Sequence, residues 1–306
     1  MKTSHIFWGT LFITIGLLVL LNNFYPIFMD WDTLWKLWPL VIILLGLSII
    51  IKHKYGKGVI AGLAAFILGF SIFASVKSTV HFFQNDMDLI FTEGEIDSSE
   101  IQYLAEKFEP STTNAVFNFS AGAGSFKLAD TTNELITAHI QSRKHNYEFS
   151  KTFVDSSIDI SMEMEDAKFN IGGKGYVNRV DVALNPNPEW ELNFEVGAAK
   201  LNIDLTSYKT KEVNVEMGAA SIDLKMGELL KESHIRIEAG ASDINVFVPK
   251  SSGCKVNISS ALSSKKLNEF TKKGSGVYET ENFETAGNKI FVDIECGVSS
   301  INIERF

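Results

Sequence analysis

Cysteine is almost missing from this chain. Cys254 and Cys296 are the two among 306 residues, too few for a disulfide scaffold. Histidine is scarce as well: His5, His53, His81, His139, His145 and His234 stand apart, none at metal-ligand spacing to another His, Cys or paired acid. The sequence has no G-x-S-x-G, H-E-x-x-H or C-x-x-C stretch. "GGKG" at Gly172 to Gly175 lacks the Lys-Ser/Thr ending and the following helix of a phosphate loop, so it reads as a turn. These gaps leave no catalytic residue, metal ligand set or cofactor-binding residue to name. The expectation is a non-enzyme that works without a cofactor. Base is the last shortage. Removing the six lysines and two aspartates up to Val80 from the totals of 28 basic and 37 acidic residues leaves 22 and 35, a balance of −13 after Val80. Such an acidic body repels phosphate backbones and argues against a nucleic-acid partner.

Long apolar runs are abundant, and all lie before Val80. "IFWGTLFITIGLLVLL", "LWKLWPLVIILLGLSIII" and "VIAGLAAFILGFSIFASV" predict three membrane spans, about 6–22, 34–51 and 59–76, within a transmembrane region of residues 1–80. A cleaved signal peptide competes for the first run, but no small-x-small cleavage site follows it and further apolar runs do. Trp31, Trp35 and Trp38 at helical spacing suit an interfacial belt, with Lys36 snorkelling out of the hydrocarbon. Gly58, Gly62, Ala65 and Gly69 fall on one face of the third run. They would let another helix approach closely, or they are ordinary glycine usage in membrane helices. The first connection carries two acids and no base, whereas "KHKYGKG" carries three lysines. Positive loops stay inside, so three spans would place everything after Val76 outside the cytoplasm, tethered to the cytoplasmic (inner) membrane.

Residues 81–114 form an acidic linker. Within it, Ile101, Leu104, Ala105 and Phe108 stand at helical spacing before Pro110, which fits a short amphipathic helix or a partly ordered segment. From 115 to 306 the chain reads as strands: "IDISMEM" and "VDVAL" alternate strictly, and no run suits a buried helix.

That body repeats itself. "FEVGAAKLNI", "VEMGAASIDL", "IEAGASDINV" and "IECGVSSINI" are near copies, with "FSAGAGSFKL" a more worn one. In each, the apolar residues change parity at a glycine: Gly122, Gly197, Gly218, Gly240 and Gly297. A straight strand cannot bury both sets on one side, so a bulge or corner must sit at each glycine. The glycines at 197, 218 and 240 are 21 and 22 residues apart, and Ala261 holds the slot of a degraded further copy. Units this short cannot bury their own apolar face. The predicted fold is therefore an all-β, β-solenoid-like stack of strand–corner–strand rungs, with a conventional β-sandwich as the alternative. Stacking would align Glu195, Glu216, Glu238 and Glu295 in one column, either a weak cation site or a solvated face. Cys296 takes the slot of Val196, Met217 and Ala239, which suits a buried apolar residue; pairing with Cys254 stays open outside the cytoplasm.

"GTLFITIGLLVLLNNF" followed by "LWPLVIILLGLSIIIKHK", with Trp38, Pro39 and the mid-helix Gly46, resembles the LiaI/LiaF-type transmembrane region. "PEWELNFEVGAAKLNIDLTSYKTKEVNVEMGAASIDLKMGE", with its Gly-Ala repeats and Asp204-Leu205-Thr206, resembles the LiaF-like C-terminal, or toastrack, domain. The resemblance implies a non-enzymatic bacterial regulator of envelope-stress signalling, of a kind that acts with a two-component histidine kinase. Family members with four spans would keep the repeats in the cytoplasm, whereas three are counted here. The expected partners are the bilayer and a membrane or envelope protein such as a sensor kinase, with a homo-oligomer open. A rival expectation is a structural or adhesive protein whose rungs polymerise, because "IECGVSSINIERF" ends on a repeat with no polar cap after it.

Overall fold

A strand that buries every second residue, then skips one and buries the other parity, has to turn where the skip occurs. The computed structural model describes residues 3–24, 38–51, 53–81, 101–142, 146–154, 156–165 and 178–306, divided into two units, 1–82 and 83–306.

The first unit is helical: α1 (Thr3–Phe24), α2 (Trp38–Ile50) and α3 (Lys54–His81). Small residues on α3 meet α1. A methyl added at Gly58 would lie 3.1 Å from Ile6 Cδ1, and one at Gly69 3.2 Å from Thr14; Gly62 looks onto Ile6 and Thr10. Ala61, Ala64 and Ala65 are buried, as are Thr14 and Ser71. Thr14 answers its burial by donating to the Thr10 carbonyl at 2.8 Å. Outward, Trp8, Phe12, Ile13 and Leu17 of α1, Leu40, Ile42, Ile43 and Leu47 of α2, and Val59, Leu63 and Phe66 of α3 are exposed. Side chains are described over 6–18, 40–47 except 45, and 56–71 of these helices. Among the described residues no helix is long and apolar enough to cross a membrane.

The second unit is all β. Its strands are β1 (Ile101–Glu106), β2 (Asn114–Thr131), β3 (Ile136–Ser142), β4 (Tyr147–Val154), β5 (Ser157–Met164), β6 (Asn178–Leu184) and β7 (Glu189–Asp204). They continue with β8 (Lys209–Met217), β9 (Ser221–Lys225), β10 (Glu232–Val248), β11 (Gly253–Leu267), β12 (Phe270–Gly274), β13 (Val277–Thr280) and β14 (Lys289–Arg305). Among the described residues all fourteen join one sheet. Six rungs stack in parallel through it: β2, β7, β8 with β9, β10, β14 and β11. The segment read as a possible amphipathic helix is β1, an edge strand paired with β3. Its helical spacing covered too few residues to outweigh the backbone bonds that β3 offers, and Leu104 packs against the core as a strand residue.

The parity switch is visible in burial. In β7, Trp190, Leu192, Phe194 and Val196 are buried, then Ala199, Leu201 and Ile203; in β10 the sets are Ile235 and Ile237, then Ile244, Val246 and Val248. Both sets belong to one core cluster, so these rungs bend at their glycines and present both arms to a shared interior. The first inward residue after the bend is small in every rung: Gly124, Ala199, Ala220, Ser242, Ser299 and Ser263. Larger side chains there would crowd the inner corner.

Why glycine holds the bend is a matter of contact. Among the described residues the one glycine with positive φ is Gly276, away from the bends. A methyl on Gly240 would instead sit 2.6 Å from the Gly218 carbonyl oxygen, one on Gly218 2.8 Å from that of Gly197, and one on Gly297 2.7 Å from that of Gly240. Real Cβ atoms do not approach backbone so closely, and backbone cannot swing aside as a side chain can.

The rung order departs from chain order. β14, carrying Gly297, inserts between β10 and β11, so the last repeat of the sequence is an inner layer. Ala261 does hold the glycine slot, between the Ser260–Cys296 and Leu262–Val298 pairs, but at the end of the stack. The long gap after Gly122 is filled by β3 to β6: β6 and β3 extend the second arms from β2 towards β1, and β5 and β4 extend the first arms. Turn chemistry closes two of the connections. The Asp204 carboxylate accepts from the Thr206 amide (3.0 Å) and hydroxyl (2.6 Å), turning the chain over buried Leu205. Asn185 donates to the Asn133 and Glu134 carbonyls, and buried Trp190 donates through Nε1 to the Asn185 carbonyl at 2.8 Å.

Gly240→Ala is therefore expected to destabilise the β unit by about 2 kcal/mol or more. Gly287→Ala, at a position where an added methyl meets nothing within 4 Å, should be close to neutral. Urea unfolding of the full chain, followed by far-ultraviolet circular dichroism, measures both.

Candidate functional site

Strand register sets the outer face of the first arms. Glu195, Glu216, Glu238 and Glu295 stand side by side on β7, β8, β10 and β14, between Ser120 of β2 and Ser259 of β11. Parallel neighbours lie about 4.8 Å apart, so the carboxylates form a regular row. Arg236 relieves it at one point, its guanidinium 2.7 Å from the Glu238 carboxylate; both side chains are exposed. The hydrogen bond and charge of Glu238 push the Arg236 pKa further up. Beside the row runs a groove of about 830 Å³, floored by the backbone of Gly122, Gly197, Gly218, Gly240 and Gly297. Among the described residues no group of His, Cys, Asp or Glu is arranged to hold a metal ion. The row is a solvated acidic face.

Two residues further from the bend, a second row is linked by hydrogen bonds. Asn214 Nδ2 donates to Asn193 Oδ1 (2.9 Å), Asn193 Nδ2 to Asn118 Oδ1 (2.8 Å), and Asn118 Nδ2 to Asp159 Oδ1 (2.7 Å). Asn214 also donates to Glu212 at 3.2 Å. The sequence carries a signal for this ladder, an asparagine four residues before the glycine in three copies, which catalytic spacings do not reveal. Asn257 to Asp293 (2.7 Å) and Asn245 to Asp223 (2.9 Å) repeat the device elsewhere. Because an amide both donates and accepts, like residues can chain across identical strands without a charge.

Both cysteines and Tyr208 are buried. Burial pushes the Cys254 thiol up to about 12. The Tyr208 phenol, whose hydroxyl donates to the Asp130 carbonyl, is also held at about 12 by burial, with the charges of Asp130 and Asp204 acting in the same direction. Cys296 is buried in register with Ala239 and Ser260. Cys254 faces Ile290, six residues along β14 from Cys296, so the two lie about 20 Å apart and both are free. They cannot bridge.

Of the other residues singled out in the sequence, Gly58, Gly62, Ala65 and Gly69 lie on α3 as described above. Trp31, Trp35, Lys36 and the Gly172–Gly175 turn lie outside the described residues, as does the side chain of Trp38, which opens α2. The row of four glutamates is brought together; it is not joined to any buried reactive group.

Two outcomes follow from these environments. Neither cysteine should react with a maleimide in the folded chain, and both should react once urea unfolds it. Burial, opposed by hydrogen bonds to Ser300 and Asn245 and aided by the Asp223 charge, holds Asp243 above its ordinary 3.8. The folded state thus binds this proton more tightly than the unfolded one, and stability from this group rises as pH falls through the raised value towards 3.8. Asp243→Asn should stabilise the domain at neutral pH, with the difference from wild type shrinking as pH falls through the raised value and levelling off below about pH 4 in the same urea assay.

Residues 6–50 match the LiaI-LiaF-like transmembrane region, and residues 91–247 match the N-terminal domain of toast_rack, DUF2154. No curated protein sequence matches the chain. A solved structure from Clostridium sporogenes ATCC 15579, described as a cell adhesion protein, superposes with a TM-score of 0.63 at 23% identity, over 67% of this chain and 100% of that one. A second, described as an adhesin from Bacteroides fragilis NCTC 9343, gives a TM-score of 0.22 at 11% identity over 70% and 100%. The first shares the fold of the stacked rungs; the second carries no argument. The match over 91–247 spans half of the sequence, and the chain belongs to the toast_rack family, as a membrane-associated β-repeat protein with a LiaI-LiaF-like transmembrane region.

Proposed function

We propose that this protein is a non-enzymatic, membrane-anchored modulator of envelope-stress signalling, whose outer rung face docks a membrane or envelope protein such as a sensor kinase. The observation that carries the reading is the face itself. It is a rigid row of four glutamates beside an asparagine ladder and a long groove, with the reactive side chains Cys254 and Tyr208 locked in the core behind it. Such a surface offers recognition and no reaction.

Membrane anchoring has its own support in the helices. Their pattern is inside out, with Thr14 and Ser71 buried while Trp8, Phe12, Ile13, Leu63 and Phe66 face outward. Apolar side chains facing out and small or polar ones facing in suit hydrocarbon as the surrounding solvent. In this reading the chain crosses the cytoplasmic membrane three times, at about 6–22, 34–51 and 59–76. The lysine-rich connection at 52–58 stays in the cytoplasm and the β domain lies outside it. Occupancy of the face is passed to neighbouring membrane proteins through the packed α1 and α3. The adhesion description of the Clostridium sporogenes protein favours a second reading, a β-repeat protein that self-associates at the membrane.

Topology reporters fused after Asp30, after Lys54 and at Phe306 should report outside, inside and outside; a cytoplasmic Phe306 fusion rejects this orientation. Affinity purification of the full chain from its host membrane should retain a histidine kinase. Replacing Glu195, Glu216 and Glu238 with lysine, which leaves the core untouched, should abolish that retention. Kinase recovery that is the same with and without the replacements would contradict docking on this face.

A further inference from the structure

A stack of open-sided rungs has to end somewhere, and its last strand presents unpaired backbone to any similar strand. Here the end is β11. The hairpin of β12 and β13 covers part of its first arm, pairing over Lys255 to Asn257, and Phe270 and Tyr278 of the hairpin pack against the core, as does Leu267 at the far end of the second arm. Past the bend, β11 pairs with β14 on one side alone among the described residues. Next to the bend its outer surface is apolar, with Leu262 71% exposed and its neighbour Val298 45% exposed, before the polar Ser264 and Lys266. An open edge beside exposed apolar side chains is the setting in which strands of a second copy would add on.

What faces inward on that arm decides the outcome. Lys265 is in register with Ile301, which pairs with Ile244 in turn, and that column continues through Ile222 and Leu201 to Phe126. Five rungs fill this core column with a large apolar side chain, and the end rung places Lys265, exposed at the open edge, in register with it. At the opposite end of the same arms, β1 places Glu106 inward, and Lys151 of β4 holds it at 2.5 Å. Both ends of the stack therefore carry an inward charge, but the charge on β1 is already engaged.

We infer that Lys265 guards the end of the stack, so that a second copy of this chain cannot add its strand to β11 and the rungs do not polymerise. A strand laid on β11 would seal Lys265 between Ile301 and the incoming inward side chain. Burying an ammonium without a free carboxylate is strongly unfavourable, and a second copy's β1 brings Gln102, Leu104 and an occupied Glu106 to that position. The wild-type edge remains accessible yet unfilled.

The test is sedimentation of the full chain in single-copy lipid nanodiscs over rising concentration, with hydrogen exchange read across residues 259–267. Wild type and Lys265→Arg should remain single discs with fast exchange along this arm. Lys265→Ile should associate at a concentration at least about tenfold lower than wild type, with slowed exchange confined to 259–267. Lys265→Thr, uncharged and strand-favouring, should shift in the same direction and stands in if the isoleucine variant does not fold. Wild-type association that protects 259–267 would overturn the inference. So would folded Ile and Thr variants that remain single, or that associate without protecting this arm.

Discussion

Everything in the β domain depends on how closely two backbones can pass at the bend. The Gly240 Cα stands so near the Gly218 carbonyl that a single methyl would collide with it, and Gly218 and Gly297 repeat the contact on their own neighbours. Close passage there keeps the strands in register on both arms, which in turn aligns inward columns that exclude water and outward columns that meet it. The small residue two places on, Ala199, Ala220, Ser242 or Ser299, leaves the inner corner free. The recurring glycine-x-small phrase is thus a steric specification, met at Gly218, Gly240 and Gly297.

Much of this was legible because strand periodicity is rigid. A period of two makes a one-residue slip unmistakable, so the parity change at each glycine announced a bend, and equal spacing announced layers. The alignment of Glu195, Glu216, Glu238 and Glu295 followed from the same counting. Rung order did not follow, because nothing local distinguishes an inner rung from a terminal one. The choice that seats β14 between β10 and β11 is made by long-range pairing and by the β12–β13 hairpin. β1 was misread because four apolar residues in eight satisfy a helix and an edge strand about equally well. The asparagine ladder escaped for a different reason: its amides are single and uncharged, and they acquire meaning when four strands bring them and Asp159 within 3 Å of one another.

The reversal of rung order also changes what the terminus implies. A repeat at the end of the sequence suggested an open, sticky layer. The C-terminal strand is instead enclosed on both sides, with the Phe306 backbone bonded to Val248 and Lys250, and the exposed layer is the degraded one carrying Lys265. A docking face on the first arms and an end guarded by Lys265, both proposed above, would go together on such a wall of like courses. That combination suits a tethered docking platform better than a fibre.

The layering itself can be measured without a crystal. Spin labels on Ser120→Cys and Ser259→Cys, with buried Cys254 and Cys296 left unlabelled, bracket the six rungs from β2 to β11. Five strand steps should give a narrow distance distribution centred near 24 Å, broadened by about the reach of the labels. A broad distribution, or one centred beyond about 35 Å, would contradict rungs stacked through a shared line of glycine contacts.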